Sequence, residues 1–310
     1  MKVLVSIQQP VRQWQIPAEA VATLRARFPH IEFIYATSDE QRARGLVDCD
    51  AVYTWILKTD ELATATRLRW VHSSAVAVET MCLPELFARG VVVSNTRGGQ
   101  AVPIAEHTLA VVLALSKQLP LVLAHQRTAH WAQNDFMGER LPWLLHGRTL
   151  GLIGVGTIGS AIAARAHAFG MRVVALRRRS DQGAVAAVDQ LFGPGDIGAF
   201  LQETNVLVIA ALPKGAVIVN VGRAKILDTE ALIAALHSGH LGGASLDVYP
   251  REPLPPEHPL WTCPNVILTP HTSGFRQGHW EEVVDLFAEN LARFERGEDV
   301  RFRVRPELGY

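Results

Sequence analysis

Short apolar runs alternate with amphipathic stretches along most of the chain. Val3–Ile7, Ile31–Ala36, Ala51–Trp55, Trp70–Ser73 and Val91–Ser94 read as buried strands. Runs of this length, bounded by polar or turn residues, suit strands better than helices. Pro17–Phe28, Ser38–Val47, Thr59–Thr66 and Ala77–Ala88 lie between them and read as helices. A Gly-rich turn at Asn95–Gly99 precedes a long helical pattern, Val102 to Leu119, which Pro120 interrupts or kinks. The following stretch, Gln118–His146, is irregular and carries Trp131, Phe136, Trp143, Leu144 and Leu145 among polar residues. It suits either a helical excursion packed on its own domain or a subunit interface, where aromatic anchors are enriched.

A second alternating series begins at Thr149. Leu150–Gly154, Arg172–Arg177, Asn205–Ala210, Ala216–Val221, Gly243–Val248 and Val266–Thr269 read as strands. Ile158–Phe169, Asp196–Glu203, Asp228–Ser238 and Gly278–Glu295 read as helices, and Val300–Arg305 alternates like an edge strand. Strands alternating with helices predict parallel sheets covered on both faces. The fold class is α/β, with two doubly wound parallel-sheet domains in sequence.

Composition narrows the class without changing it. The 310 residues are 48% hydrophobic and 19% charged, which is ordinary for a globular chain and excludes disorder and coiled coil. Thirty basic residues balance thirty acidic ones, so no global field favours nucleic acid or an anionic membrane. Three widely spaced cysteines fit neither a disulfide framework nor a zinc ribbon. The first apolar run is too short for a signal peptide, and Thr108–Ser116 is far below a membrane span of about 20 residues. A cytoplasmic protein is expected.

Gly154-Val155-Gly156-Thr157-Ile158-Gly159 is a G-x-G-x-x-G that follows a strand and opens a helix. That context gives an otherwise weak pattern its meaning as a dinucleotide site. Gly154 permits the tight turn, Gly156 lets backbone approach a pyrophosphate, and Gly159 allows the helix to pack close. Amide N–H groups at the helix start, at Thr157 and Ile158, face the phosphates. Arg177 lies 18 residues beyond Gly159 and is followed by Arg178 and Arg179. An acidic residue there would bind both ribose hydroxyls, whereas arginine accommodates a 2′-phosphate, so NADP(H) is expected over NAD(H). Three successive arginines also suit a solvated turn.

Three strand ends carry the chemistry. Val221-Gly222-Arg223 ends one and places a guanidinium suited to gripping a carboxylate at the ligand-binding edge of the sheet. Asp247 ends the next, before a proline-stiffened loop that holds Glu252. His271 follows Pro270 at the third. Alone, each suits a structural role. Together they comprise a carboxylate binder, an acid/base and a carboxylate to orient it.

At these residues the chain resembles the D-isomer-specific 2-hydroxyacid dehydrogenases. The resemblance covers nearly the whole chain, through Gly154–Gly159, Asn220–Asp228, Leu246–Leu254, Leu268–Gly274, Ala105-Glu106-His107 and the Leu308-Gly309-Tyr310 terminus. It implies a Rossmann cofactor domain, residues 99–274, inserted in a flavodoxin-like substrate domain, residues 1–98 and 275–310. It further implies catalysis by Arg223, Glu252 and His271, cofactor contacts from Val221 and Gly222, and a nicotinamide carboxamide held by Asp247. A homodimer through residues 118–146 follows from the same likeness. Arg223 then binds the 2-oxoacid carboxylate, and His271, held by Glu252, donates a proton to the forming alkoxide. The expected activity is reduction of a small 2-oxoacid, as in glyoxylate or hydroxypyruvate reductases. A non-catalytic dinucleotide-sensing scaffold and a formate or phosphite dehydrogenase are the alternatives. His237 and His240 straddle a helix end without a third ligand and read as capping rather than zinc ligands.

Two departures stand out. The family's Gly-rich substrate loop is here His72-Ser73-Ser74-Ala75-Val76-Ala77-Val78-Glu79. The amides of Ser74, Ala75 and Val76 are expected to bind substrate, and Trp55 and Arg276 suit either shaping that pocket or, preferably, a structural role. Between strands Asn205–Ala210 and Ala216–Val221, moreover, only Ala211–Gly215 remain. A parallel crossover needs about a dozen residues, so a link this short predicts a hairpin, with Arg223 leaving from the wrong edge. The pattern implies a deletion or, preferably, residues missing near Ala210–Ala211.

Overall fold

The alternating pattern builds two separate parallel sheets. The computed structural model describes residues 1–78, 81, 83–136, 141–178, 183–208 and 215–305. They fall into two units, Met1–Gly99 with Phe275–Tyr310, and Gln100–Gly274.

In the first unit β1 (Lys2–Ser6), β2 (Glu32–Tyr35), β3 (Ala51–Thr54), β4 (Trp70–Ser73) and β5 (Val92–Asn95) form a parallel sheet in the order β2-β1-β3-β4-β5. Because strand side chains alternate, both faces must be covered. Leu4, Val52 and Val71 meet Leu46 of α2 (Asp39–Leu46), Leu62 of α3 (Thr59–Thr64) and Leu86 of α4 (Leu83–Ala88). On the other face Val3, Val5, Tyr53 and Trp70 meet α1 (Ala18–Arg27) and α10 (His279–Glu295). Phe287 of α10 stacks on Tyr53 and Trp70 at centroid distances of 4.1 and 5.3 Å.

Two expectations are corrected here. Among the described residues, the helix expected over Ala77–Ala88 covers Leu83–Ala88, and Ala77, Val78 and Met81 lie outside it. Pro84 explains the late start, since proline is tolerated in a first helical turn and not inside a helix. The edge strand expected over Val300–Arg305 reduces to a single antiparallel bridge, Ser94 to Arg303. Phe302, at φ 53°, interrupts the extended backbone a strand requires.

The second unit holds β6 (Thr149–Ile153), β7 (Arg172–Leu176), β8 (Gln190–Phe192), β9 (Val206–Val208), β10 (Ala216–Asn220), β11 (Leu241–Leu246) and β12 (Val266–Leu268). All are parallel, in the order β12-β11-β10-β9-β6-β7-β8. The three-residue edge strand β8 was not expected, because three residues are too few to show an alternation. Leu109, Val112 and Leu115 of α5 (Ala101–Ser116) pack with Ile162 and Ala166 of α7 (Thr157–Ala168) in the main core. Pro120 sits in the first turn of α6 (Leu119–Arg127), so it opens a new helix, bent 67° from α5. No single helix among the described residues is long and apolar enough to cross a membrane.

The strands on either side of the short link are parallel, as the strand–helix alternation predicts, and not the hairpin that the link length alone would make. Val206 pairs with Val217 and Leu207 with Ile218 in parallel register. The position where missing residues were expected, Ala210–Ala211, lies outside the described residues. The register carries the consequence for function. Asn220, Leu246 and Leu268 are level with one another across β10, β11 and β12, so all three chains leave at the same carboxyl edge.

Candidate active site

At that edge β6 turns into α7 through the glycine motif. Gly154 takes φ 92°, and its amide donates to the Leu176 carbonyl at 2.9 Å. A Cβ on Gly159 would strike the Gly154 carbonyl oxygen, so helix and turn touch there. A Cβ on Gly156 would meet nothing within 4 Å, which leaves open space at the N-terminus of α7. Unsatisfied amides of the first helical turn, Thr157 and Ile158 among them, suit an anion there. These residues therefore fit the pyrophosphate of a dinucleotide. Arg177 follows β7 on the same edge, with its guanidinium donating to the Gly183 carbonyl at 3.4 Å. Arg178 is exposed, and Arg179 lies outside the described residues.

Arg223 is set by a local turn. The buried Asn220 accepts the Gly222 amide at 3.1 Å and donates to the Arg223 carbonyl at 3.2 Å. Val221 and Gly222 are half-buried, while Arg223 is exposed and donates to the Gly222 carbonyl at 3.1 Å. Glu252 and His271 are brought together. Nδ1 of His271 lies 2.8 Å from Oε2 of Glu252, whose Oε1 accepts the Tyr249 amide at 2.9 Å. A carboxylate only accepts, so Nδ1 carries the proton and Nε2 is left for exchange with a ligand. The imidazole is 57% exposed, as proton transfer to a bound molecule requires.

His271 takes φ 55°, a left-handed conformation that costs a non-glycine residue on the order of 1 kcal/mol. Asp247 holds it there. Its buried carboxylate accepts the Thr272 amide at 2.9 Å, the Ser273 amide at 3.1 Å and the Thr269 hydroxyl at 2.6 Å. Having donated to Asp247, Thr269 Oγ1 can accept from His107 Nε2, 3.4 Å away on α5. Burial lowers the His107 pKa, against the pull of Asp247. The Tyr249 hydroxyl lies 2.8 Å from the Leu246 carbonyl and 3.0 Å from the Thr269 carbonyl, with one proton to share between them, and burial raises its pKa. Sequence reasoning had no part for Thr269 or Tyr249, and His107 entered only through the family likeness.

The substrate loop of the first unit departs from expectation. The Ser74 amide donates to the Thr54 carbonyl at 2.8 Å, and the Ala75 amide to Ser73 Oγ at 3.1 Å. Both residues are buried. Two of the three expected donors are thus engaged, one by β3 and one within the loop, leaving the half-buried Val76 amide as the candidate. Trp55 packs against Trp14 at a centroid distance of 5.5 Å, and Arg276 donates to the Gly99 carbonyl at 3.0 Å.

A doubly wound sheet that offers a dinucleotide turn and, four strands away on the same edge, a carboxylate-backed imidazole has the form of a nicotinamide-dependent oxidoreductase. A family model described as "D-isomer specific 2-hydroxyacid dehydrogenase, NAD binding domain" matches residues 109–273. The chain is 32% identical over 284 residues to a protein named glyoxylate reductase from Thermococcus gammatolerans, covering 84% of each. It is 30% identical over 269 residues to another of that name from Korarchaeum cryptofilum, covering 81% of each. The crystal structure of a D-isomer specific 2-hydroxyacid dehydrogenase family protein from Aeromonas salmonicida superposes with a TM-score of 0.79 at 27% identity, covering 98% of both chains. The chain belongs to the D-isomer-specific 2-hydroxyacid dehydrogenase family.

Proposed function

We propose that the chain reduces a small 2-oxoacid of glyoxylate or hydroxypyruvate size, with NADPH as the preferred donor. The observation that carries this reading is the 2.8 Å pair between His271 Nδ1 and Glu252, beyond a strand end level with the one that leads to Arg223. The nicotinamide supplies hydride when bound. Arg223 grips the substrate carboxylate and polarises the C2 carbonyl. His271 donates the Nε2 proton to the developing alkoxide, and Glu252 stabilises the imidazolium before transfer. The products are the 2-hydroxyacid and NADP⁺, with one proton consumed. Gly154, Gly156, Thr157, Ile158 and Gly159 cradle the pyrophosphate. Arg177, with Arg178 and Arg179, accepts the 2′-phosphate, and Asp247 receives the nicotinamide carboxamide alongside its loop contacts.

The test is NADPH and NADH oxidation with glyoxylate, hydroxypyruvate and other small 2-oxoacids, and reduction of NADP⁺ and NAD⁺ with formate and phosphite. Turnover of a 2-oxoacid, lost at least about 100-fold in kcat/KM in Arg223→Ala, supports the reading. Cofactor binding without turnover would make the chain a dinucleotide-sensing scaffold. Turnover of formate or phosphite alone would assign it to that chemistry. Arg177→Ala should lower the NADPH-to-NADH preference, and an unchanged ratio removes the arginine from cofactor choice.

The same reading includes a cytoplasmic homodimer. Leu119, Val122, Leu123, Trp131, Leu141 and Leu144 are exposed, Trp131 by 86%, and such a concentration of apolar side chains suits a subunit interface. Light scattering on the purified chain distinguishes dimer from monomer.

A further inference from the structure

The helix α6 ends in a way that brings two imidazoles together. The Ala129 amide donates to the Gln126 carbonyl at 3.2 Å, and the His130 amide to the His125 carbonyl at 3.0 Å. Ala129 is left-handed at φ 51°. This is the paired bonding of a Schellman ending, which usually carries glycine at the left-handed position and an apolar contact between the two flanking residues. Here the contact is made by His125 and His130, with ring centroids 4.9 Å apart. The 3₁₀ turn Gln133–Asp135 then returns a carboxylate to the pair. Asp135 Oδ2 lies 3.1 Å from His130 Nε2 and 3.5 Å from His125 Nε2.

We propose that His125, His130 and Asp135 bind one divalent cation of the zinc class. Their three ligand atoms all lie within 4.8 Å of one another. A tetrahedral site with bonds of about 2.0–2.1 Å sets its ligands roughly 3.3 Å apart, which the two carboxylate–imidazole separations already match, and the two imidazole nitrogens, within 4.8 Å of each other, close the rest of the way on binding. His125 Nε2 is buried and has no hydrogen-bond partner, although it faces the carboxylate. A cation between the two satisfies both. Two imidazole nitrogens and one carboxylate suit zinc and its neighbours, while calcium and magnesium prefer oxygen ligands throughout. The half-exposed ring of His130 provides the way in. A fourth position remains for water. None of the three residues has a part in the proposed reaction, so this site stands or falls separately from it. Its effect is to clamp the end of α6 to the following turn, in the stretch that carries the exposed Trp131.

The test uses tag-free full-length protein stripped with EDTA and titrated calorimetrically with Zn²⁺ in excess Mg²⁺. One Zn²⁺ per chain is expected, with a rise in thermal midpoint on binding. His130→Ala and Asp135→Asn should each weaken binding at least about tenfold. His237→Ala, which breaks up the His237–Cys263 pair at 3.8 Å, should leave it unchanged. Circular dichroism establishes that each variant is folded. Co²⁺ substitution should give tetrahedral absorption that vanishes in His130→Ala. Wild-type Zn²⁺ affinity in folded His130→Ala and Asp135→Asn overturns the proposal, as does wild-type protein that binds no Zn²⁺.

Discussion

The ends of β4 and β12 each present a histidine near small polar residues, and the two are set in opposite surroundings. His72 lies in β4 of the first unit, fully buried, with Nδ1 2.7 Å from Ser94 Oγ. Tyr53, Trp70 and Phe287 surround it at centroid distances of 5.4, 5.8 and 5.4 Å. Burial pushes its pKa down to about 3. His271 follows β12 of the second unit, more than half exposed, left-handed and bonded to Glu252. The first ring is a neutral piece of core. The second is held in strain against a carboxylate with one nitrogen available. Under the proposed function, what separates a structural histidine from an acid/base is therefore the partner and the solvent, not the strand end.

The largest expected effect breaks or confirms that division directly. His271→Gln should lower kcat/KM for a 2-oxoacid by about 10²- to 10⁴-fold with little change in unfolding free energy. His72→Gln should do the reverse, costing about 1–3 kcal/mol of stability while the folded fraction keeps its kcat. Steady-state kinetics and urea unfolding on both variants measure the two axes. A folded His72→Gln that loses as much activity as His271→Gln would end the comparison. Next in size is Asp247→Asn, which replaces an acceptor of three donors. It should cost about 1–3 kcal/mol and lower kcat by loosening the His271 loop. Unchanged kcat would show that this loop does not need the carboxylate.

The comparison sharpens with pH. The usual histidine pKa is 6.5, and that of His72 in the folded chain is about 3. Between these values the unfolded chain binds a proton that the folded ring refuses. The contribution is complete above 6.5 and is lost as pH falls through the window, by at most about 1.4 kcal/mol per pH unit. His107 and His279 are also lowered by burial and act with the same sign. Asp50 and Glu61 have lowered pKa values too, but their contributions begin to fall only near their usual 3.8 and 4.5. Unfolding free energies measured at about pH 7 and about pH 5 therefore isolate the histidines. His72→Gln should flatten the slope, and an unchanged slope would remove His72 as its source.

Much of this was legible because it is local. The glycine motif needs only neighbouring residues to define a turn, and the strand–helix alternation repeats often enough to show both sheets. Arg223, Glu252 and His271 could be read from strand ends. What escaped depends on partners far along the chain or on backbone states without a side-chain marker. Thr269 meets Asp247 across 22 residues and His107 across 162, separations no periodicity reveals. The Ser74 and Ala75 amides looked available because their acceptors, Thr54 and Ser73 Oγ, are fixed only by strand pairing and side-chain rotation. The bridge at Arg303 replaced a strand because Phe302 turns left-handed without a glycine to announce it.

The smallest expected effect has the opposite sign to the others and bears on the strain itself. A left-handed L-residue costs about 1–2 kcal/mol, which glycine avoids. Glycine returns about 0.5–1 kcal/mol of that through the greater entropy of its unfolded chain. The lost pair with Glu252 is 57% and 37% exposed and contributes little. His271→Gly should therefore leave stability unchanged or raise it by up to about 1 kcal/mol, while abolishing the proton transfer. Urea unfolding measures the first and turnover the second. A loss of more than about 1 kcal/mol would mean that the His271 ring holds its loop together much as His72 holds the core, and the contrast between the two strand ends would fail. Gained stability with lost activity would show that the loop keeps its histidine against the preference of the fold, as a site retained for chemistry must.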